Sequence, residues 1–369
     1  MITYRIALAG LGNVGSSILS ILHREADNLK KRYGVQFIIT GVAELGGGAI
    51  DQSGLNIAVL LDTLKNNRRV ADLADCGVVG LQAIDLLELA KPDILLEATP
   101  VNLEHGQPGL DTVRLALSQG IHAVLANKGP VALAYDELAA MSDLGARWGQ
   151  DNYQEDFVPS TQKTPIPKLR FNACIAGALP TFNMGLRDLA GCRISRLEAV
   201  FNGTTQYILR EMEAENSYEE ALADAQRRGI AETDPTLDVD GWDAAAKLVI
   251  ACSSVLGETI PLSEVAVQGI RAVSYADIQA AAAEDKRIVL VCLAELIDDQ
   301  YQLSVKPTPL ALDHPLARLT PDEMGVAFYT QDVERLSAAS SEPGPEPAAA
   351  AMLRDMLEIV YHDKHHTVA

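Results

Sequence analysis

Basic residues are the first shortage. Thirty Lys and Arg stand against fifty Asp and Glu in 369 residues, a formal net charge of −20. Such a surface repels a nucleic-acid backbone and an anionic membrane, so neither is an expected partner. Long apolar runs are missing too: no segment approaches the roughly 18 consecutive apolar residues that a spanning helix requires. The opening "ITYRIALAGLG" enters a strand directly, with no basic segment and apolar stretch of a signal peptide before it. Cysteine is sparse and scattered. Cys76, Cys174, Cys192, Cys252 and Cys292 are odd in number and show no C-x-x-C spacing, so neither a disulfide framework nor a metal site is signalled. A nucleophile elbow, a Walker loop and internal repeats are also missing. The expectation is a soluble, cytoplasmic protein.

What is present favours packed cores: 48% of residues are hydrophobic and 22% charged, over a length that suits two connected domains. The stretch "RIALAGLGNVGSSILSILHREADNL" reads as a strand, a glycine turn and an amphipathic helix. Gly10, Gly12 and Gly15 fit G-x-G-x-x-G. Each glycine has a physical task there: the tight turn, close approach to a pyrophosphate, and close packing of helix on strand. Asn13 and Val14 fall at the helix mouth, where backbone N–H groups face an anion. A second apolar strand, "VQFIITGVAE", ends at Glu44, which could accept hydrogen bonds from a ribose diol. Leu45 to Lys65 holds no Lys or Arg before its end, which favours NAD and leaves NADP open. Further strands, "DILLEATP" and "HAVLANKG", bring Thr99, Asn127 and Lys128 to strand ends, beyond which ligands bind in open α/β sheets. Strands alternating with helices indicate a parallel, doubly wound sheet of Rossmann type. The plainer readings are a structural glycine turn and a surface lysine.

Residues 151–169 are polar and proline-bearing, which suggests a long loop or an insertion between domains. "FNGTTQYILREM" then opens as a polar turn and becomes a helix. Asn202 and the threonines could simply cap it, or could cradle a carboxylate with N–H groups and hydroxyls. "AETDPTLDVDGWDAAAK" invites a calcium-loop reading, but with Gly241 at position six, position twelve is Lys247 where a bidentate Glu is needed. What remains is a helix from about Asp240 with Asp243 and Lys247 one turn apart. On its own this spacing suggests an exposed ion pair of roughly 0.3–0.5 kcal/mol.

"GLGNVG", "LANKGP", "NGTTQYIL" and "AETDPTLDVDGWDAAAK", in that order, closely resemble homoserine dehydrogenase over residues 1 to about 320. The resemblance implies a dinucleotide-binding domain at 1–150 and an α+β substrate and dimerisation domain with a mainly antiparallel sheet at 151–335. A C-terminal segment, 336–369, would return to the first domain. It implies substrate binding by Gly203, Thr204, Glu232 and Asp238, with Lys128, Asp243 and Lys247 around the reacting oxygen, and a homodimer. The chemistry wants these types: carboxylates for an ammonium, lysines for a developing alkoxide. Two departures stand out. Asn172 occupies a position where the family usually has Glu, near a monovalent-cation site, which leaves that cation open. "SSEPGPEP", with Glu342, Gly344 and Glu346, replaces a glycine-rich G-x-G-A-G turn that packs against the cofactor. No sequence remains for the regulatory domain that some members append, and His362, His365 and His366 read as a polar tail. Two other readings stay open: a paralogue acting on another small amino-acid-derived alcohol or semialdehyde, and a non-catalytic dinucleotide-binding protein.

Overall fold

The computed structural model describes residues 1–145 and 166–366, with side chains as far as Tyr361. Most of the expected 151–169 loop, and the side chains of the histidine tail, lie outside the described residues. The chain divides into two compact units: Met1–Gly177 with Pro345–Ala369, and Ala178–Gly344.

The first unit is built on a seven-stranded sheet of order β4-β3-β2-β1-β5-β6-β7. Its strands are β1 Ile2–Ala9, β2 Val35–Glu44, β3 Gly47–Ile50, β4 Gly77–Val79, β5 Ile94–Glu97, β6 His122–Leu125 and β7 Leu169–Arg170. β1, β2, β5, β6 and β7 are parallel, whereas at one edge β3 pairs antiparallel with both β2 and β4. The expected doubly wound parallel sheet is present, with two antiparallel pairings added at one edge. The cause is local: Glu44 pairs with Gly47 across a tight turn, and Gly46 at φ 91° lets the chain fold back.

β1 carries Ile6, Ala7, Leu8 and Ala9 fully buried, as a central strand covered on both faces should. The helix Asn13–Arg24 turns Gly15, Ile18, Leu19 and Leu22 inward at helical spacing. The last helix, Glu346–His366, adds Ala349, Met352, Met356 and Ile359 to the same core, which is why the C-terminal segment belongs to this unit. Its return begins at Pro345, later than residue 336. The first unit also runs on past 150 to Gly177, since β7 extends its sheet.

The second unit is a six-stranded sheet of order β13-β12-β8-β10-β11-β9. Its strands are β8 Ile194–Val200, β9 Ala266–Val267, β10 Lys286–Ile297, β11 Gln300–Ala311, β12 Glu323–Thr330 and β13 Glu334–Ser341. All pairings are antiparallel except β9 with β11. β10 and β11 form a long hairpin over Asp298 and Asp299, both at positive φ, as a two-residue turn of the favoured hand requires. The helices Gly203–Glu213 and Trp242–Ala251 pack against this sheet with apolar faces that include Ile208, Met212, Leu248 and Val249.

Candidate active site

In the second unit β8 ends at Val200, and Phe201 and Asn202 lead straight into the Gly203–Glu213 helix. Asn202 does two jobs at once. Its Oδ1 accepts the Thr205 N–H at 2.8 Å, capping the helix, and also the Thr205 hydroxyl at 3.0 Å. Its Nδ2 donates to Asp238 Oδ1 at 2.6 Å and to Asp243 Oδ2 at 2.9 Å. Asp243 Oδ2 meets Lys247 Nζ at 2.8 Å, and Lys247 donates to the Phe201 carbonyl at 2.6 Å. Both side chains of that pair are 12% exposed. The exposed-pair reading of Asp243 and Lys247 is therefore overturned, because β8, β10 and the two helices wall the pair in.

The Trp242–Ala251 helix opens on Gly241 at φ 88°, which places Asp243 in its first turn, where a carboxylate is favoured by the helix dipole. Beneath lies Cys292, fully buried. Burial pushes its thiol up to about 12, so it stays neutral beside Lys247 and Asp243.

The other implied substrate residues divide. Gly203 opens the helix, and a Cβ there would meet nothing within 4 Å. Thr204 is buried and spends its hydroxyl on the Ile230 carbonyl at 3.1 Å, which leaves its backbone as the available group. Glu232 is exposed in the loop before Asp238 and is not hydrogen-bonded into this cluster; its own carbonyl accepts from Gln226.

In the first unit, Gly10 and Gly15 are held by sterics. A Cβ at Gly10 would lie 2.2 Å from the Ala98 carbonyl oxygen, and one at Gly15 would lie 2.0 Å from the Gly10 carbonyl oxygen. Gly12 differs: its φ is an ordinary −68° and a Cβ would meet nothing. The helix that it starts has no side-chain cap and no acidic residue in its first turn. The N–H groups of Asn13, Val14 and Gly15 therefore have no partner within the helix.

Thr99 and Asn127 are organised by a residue that sequence reasoning passed over. Glu97, fully buried at the end of β5, accepts the Thr99 N–H at 3.0 Å and also the Thr99 hydroxyl. Burial pushes its carboxyl up to about 7 against the pull of Thr99 and Asn127. An acid directly following the apolar run "ILL" was the available signal. Asn127 is itself buried. Its amide goes to the Thr99 hydroxyl at 3.2 Å and its oxygen to the Gly129 N–H at 2.9 Å, so it shapes the turn. Lys128 is half-buried at the start of the Gly129–Ala140 helix.

Glu44 is half-buried and accepts the Val70 N–H at 2.9 Å. The Arg69 guanidinium, paired with Asp72 at 2.7 Å, also feels the Glu44 charge. The lack of basic residues up to Lys65 thus does not leave Glu44 without a cation. Asn172 donates its backbone N–H to Asp355 Oδ2 at 2.9 Å and its amide to the other oxygen. Asp355 is fully buried and its carboxyl is pushed up to about 7 by that burial. Among the described residues there is no cluster that could hold a metal ion through His, Cys, Asp or Glu.

Two family models match: homoserine dehydrogenase over residues 180–357, and the homoserine dehydrogenase NAD-binding domain over residues 10–153. A homoserine dehydrogenase of Methanocaldococcus jannaschii is 32% identical over 356 residues, 96% of this chain and 98% of that one. The chain belongs to the homoserine dehydrogenase family. An NAD(+)-dependent homoserine dehydrogenase of Pseudomonas canavaninivorans is 29% identical over 97% of each chain. The crystal structure of a putative homoserine dehydrogenase from Archaeoglobus fulgidus matches with a TM-score of 0.80 at 28% identity, over 98% of this chain and 99% of that one.

A homoserine dehydrogenase needs a nicotinamide dinucleotide, and the Gly12 turn fits one. The helix start carries unpaired N–H groups, no competing carboxylate, and open space where any side chain would stand. No helix among the described residues is long and apolar enough to cross a membrane.

Proposed function

We propose that this chain interconverts L-homoserine and L-aspartate 4-semialdehyde with NAD or NADP, as a homodimer in the cytoplasmic synthesis of amino acids. The observation that carries the reading is the buried Asp243–Lys247 pair, wired through Asn202 to Asp238 and through Lys247 to the Phe201 carbonyl. Burying such a pair costs desolvation that an exposed pair avoids, and a reacting oxygen gives it a purpose.

A nicotinamide dinucleotide held at the Gly12 turn would supply hydride transfer to and from the carbinol carbon. Everything else falls to the protein. Lys247 donates two N–H groups to Asp243 and Phe201, and its third is directed at the oxygen that gathers negative charge. Lys128 is the group assigned to exchange the substrate's proton. Asp238 and Glu232 receive the substrate ammonium, and the N–H groups at Gly203 and Thr204 receive its carboxylate. The intact pair argues against a non-catalytic dinucleotide-binding protein.

The test is nicotinamide absorbance with purified protein, L-homoserine and each cofactor in turn, beside Lys247→Ala. Turnover that the variant loses supports the reading. Dinucleotide binding with no turnover on homoserine overturns it. Sedimentation of the purified chain checks the dimer.

A further inference from the structure

Lys128 follows and precedes backbone that is held in place, and both anchors trace back to Glu97 at the end of β5. The Glu97 carbonyl accepts the Ala126 N–H at 2.8 Å, which fixes the chain before Lys128. After Lys128, the Gly129 N–H donates to Asn127 Oδ1 at 2.9 Å. The other end of that amide turns the oxygen towards Gly129, because Asn127 Nδ2 donates to the Thr99 hydroxyl oxygen at 3.2 Å. Thr99 accepts there because its one hydroxyl proton is spent on Glu97 Oε1, which also takes the Thr99 N–H at 3.0 Å.

The direction of this relay is set at its acid end. With no acceptor at 97, the Thr99 hydroxyl is released to donate to the Asn127 oxygen. The amide then turns over, and its NH2 group faces the Gly129 N–H, donor against donor. Nothing from solvent substitutes for the acid, since Glu97 and Asn127 are 0% and 2% exposed. Space around the relay is also closed. A Cβ at Gly109 would come within 2.7 Å of Asn127 Nδ2 and 2.9 Å of Glu97 Oε2, and one at Gly129 within 2.7 Å of the Asn102 carbonyl oxygen.

We infer that Glu97 is a positioning residue for Lys128: by taking the Thr99 hydroxyl proton it orients Asn127, which pins the backbone beside the lysine. The inference rests on the role given to Lys128 above.

The experiment measures homoserine oxidation at saturating dinucleotide, and amide exchange along the chain, in wild type, Glu97→Ala, Asn127→Ala, the double variant and Lys128→Ala. In Glu97→Ala, kcat falls about tenfold with homoserine KM changed less than about threefold, since displacing a reacting group by about 1 Å costs up to about 10²-fold. Asn127→Ala falls by a similar factor, and the double variant lies within about twofold of the lower single, as links of one relay do. Exchange at Asn127 and Gly129 quickens in Glu97→Ala, whereas β1 keeps its wild-type protection. A purely structural role would instead quicken exchange across the sheet and leave kcat of the folded enzyme in place. Should Glu97→Ala not fold, Thr99→Val breaks the same relay at its hydroxyl and is expected to give the same kcat and exchange. If Lys128→Ala abolishes turnover while Glu97→Ala keeps the wild-type kcat, or if the two single losses multiply to about hundredfold, this inference alone is overturned. If wild type does not oxidise homoserine, or Lys128→Ala stays active, the underlying reading falls and this inference falls with it.

Discussion

Gly12 and Gly203 each follow a strand and a short turn, and each stands at the start of a helix with ordinary backbone and open space beside it. Their surroundings are opposite. The helix mouth at Gly12 has no cap and no carboxylate, so its N–H groups are left for an anion. At Gly203 the neighbouring Asn202 spends its oxygen on the helix, and its amide gathers Asp238 and Asp243 beside Lys247. One helix start leaves backbone N–H groups without a partner in the helix; the other gathers charged side chains. The same supersecondary shape serves two chemistries because of what stands at the cap.

The strongest way to break this contrast is Lys247→Ala. It should lower kcat by about 10²–10⁴-fold, as loss of a proton-transfer or charge-stabilising group does, while the dinucleotide Kd stays within a few-fold. Turnover and dinucleotide fluorescence titration read the two sides separately. A parallel loss of dinucleotide affinity would mean that the charged cluster is not confined to the chemistry of the substrate.

The units also treat buried acids differently. Asp243 in the second is paired with a lysine, whereas Glu97 and Asp355 in the first are fully buried with carboxyls raised to about 7. The unfolded chain releases the Glu97 proton near 4.5 and the folded one holds it to about 7. Between those values the folded state binds more protons, so this contribution is complete below about 4.5 and is lost as pH rises to about 7. The swing is about 3 kcal/mol. Urea unfolding of Glu97→Gln across that window should show a flatter pH dependence than wild type. An unchanged slope would mean that Glu97 is ionised in the fold.

The next effect separates the glycines. Gly15→Ala forces a Cβ onto the Gly10 carbonyl and should cost about 1–3 kcal/mol of stability. Gly12→Ala meets no protein atom, so it should leave Tm unchanged and raise the dinucleotide Kd about tenfold by intruding on the pyrophosphate. Equal Tm losses in the two variants would erase the distinction between a steric glycine and one kept open for a ligand.

Which parts were legible in the sequence follows from the range of each interaction. The glycine turn, its strand and its helix are local, and spacing alone predicts them. The i,i+4 spacing of Asp243 and Lys247 was equally plain, but its burial was not, because Phe201, Asn202 and Cys292 come from 41 to 49 positions along the chain. Glu342 was noticed only as a departure from a pattern. Its partner Ala178 is 164 residues away, and no periodicity spans that distance. The fold-back after Glu44 was missed because Leu45–Gly46 reads as a strand end unless positive φ at Gly46 is anticipated.

That miss supplies the smallest prediction. Reading Glu44 as a selector for NAD assumed a free carboxylate without basic neighbours, but it accepts the Val70 N–H, with Arg69 close by. A carboxylate already engaged by a backbone N–H, with a guanidinium one residue away from that donor, discriminates weakly against a 2′-phosphate. Glu44→Ala should therefore change the NAD to NADP ratio of kcat/KM only a few-fold, a shift of about 1 kcal/mol, because one hydrogen bond to the ribose is lost while one repulsion is relieved. Arg69→Ala should move the ratio the other way, towards NAD. A change of a hundredfold in Glu44→Ala would show that its carboxylate leaves Val70 when the dinucleotide binds, and that the cofactor half of the site is less pre-set than the charged cluster around Lys247.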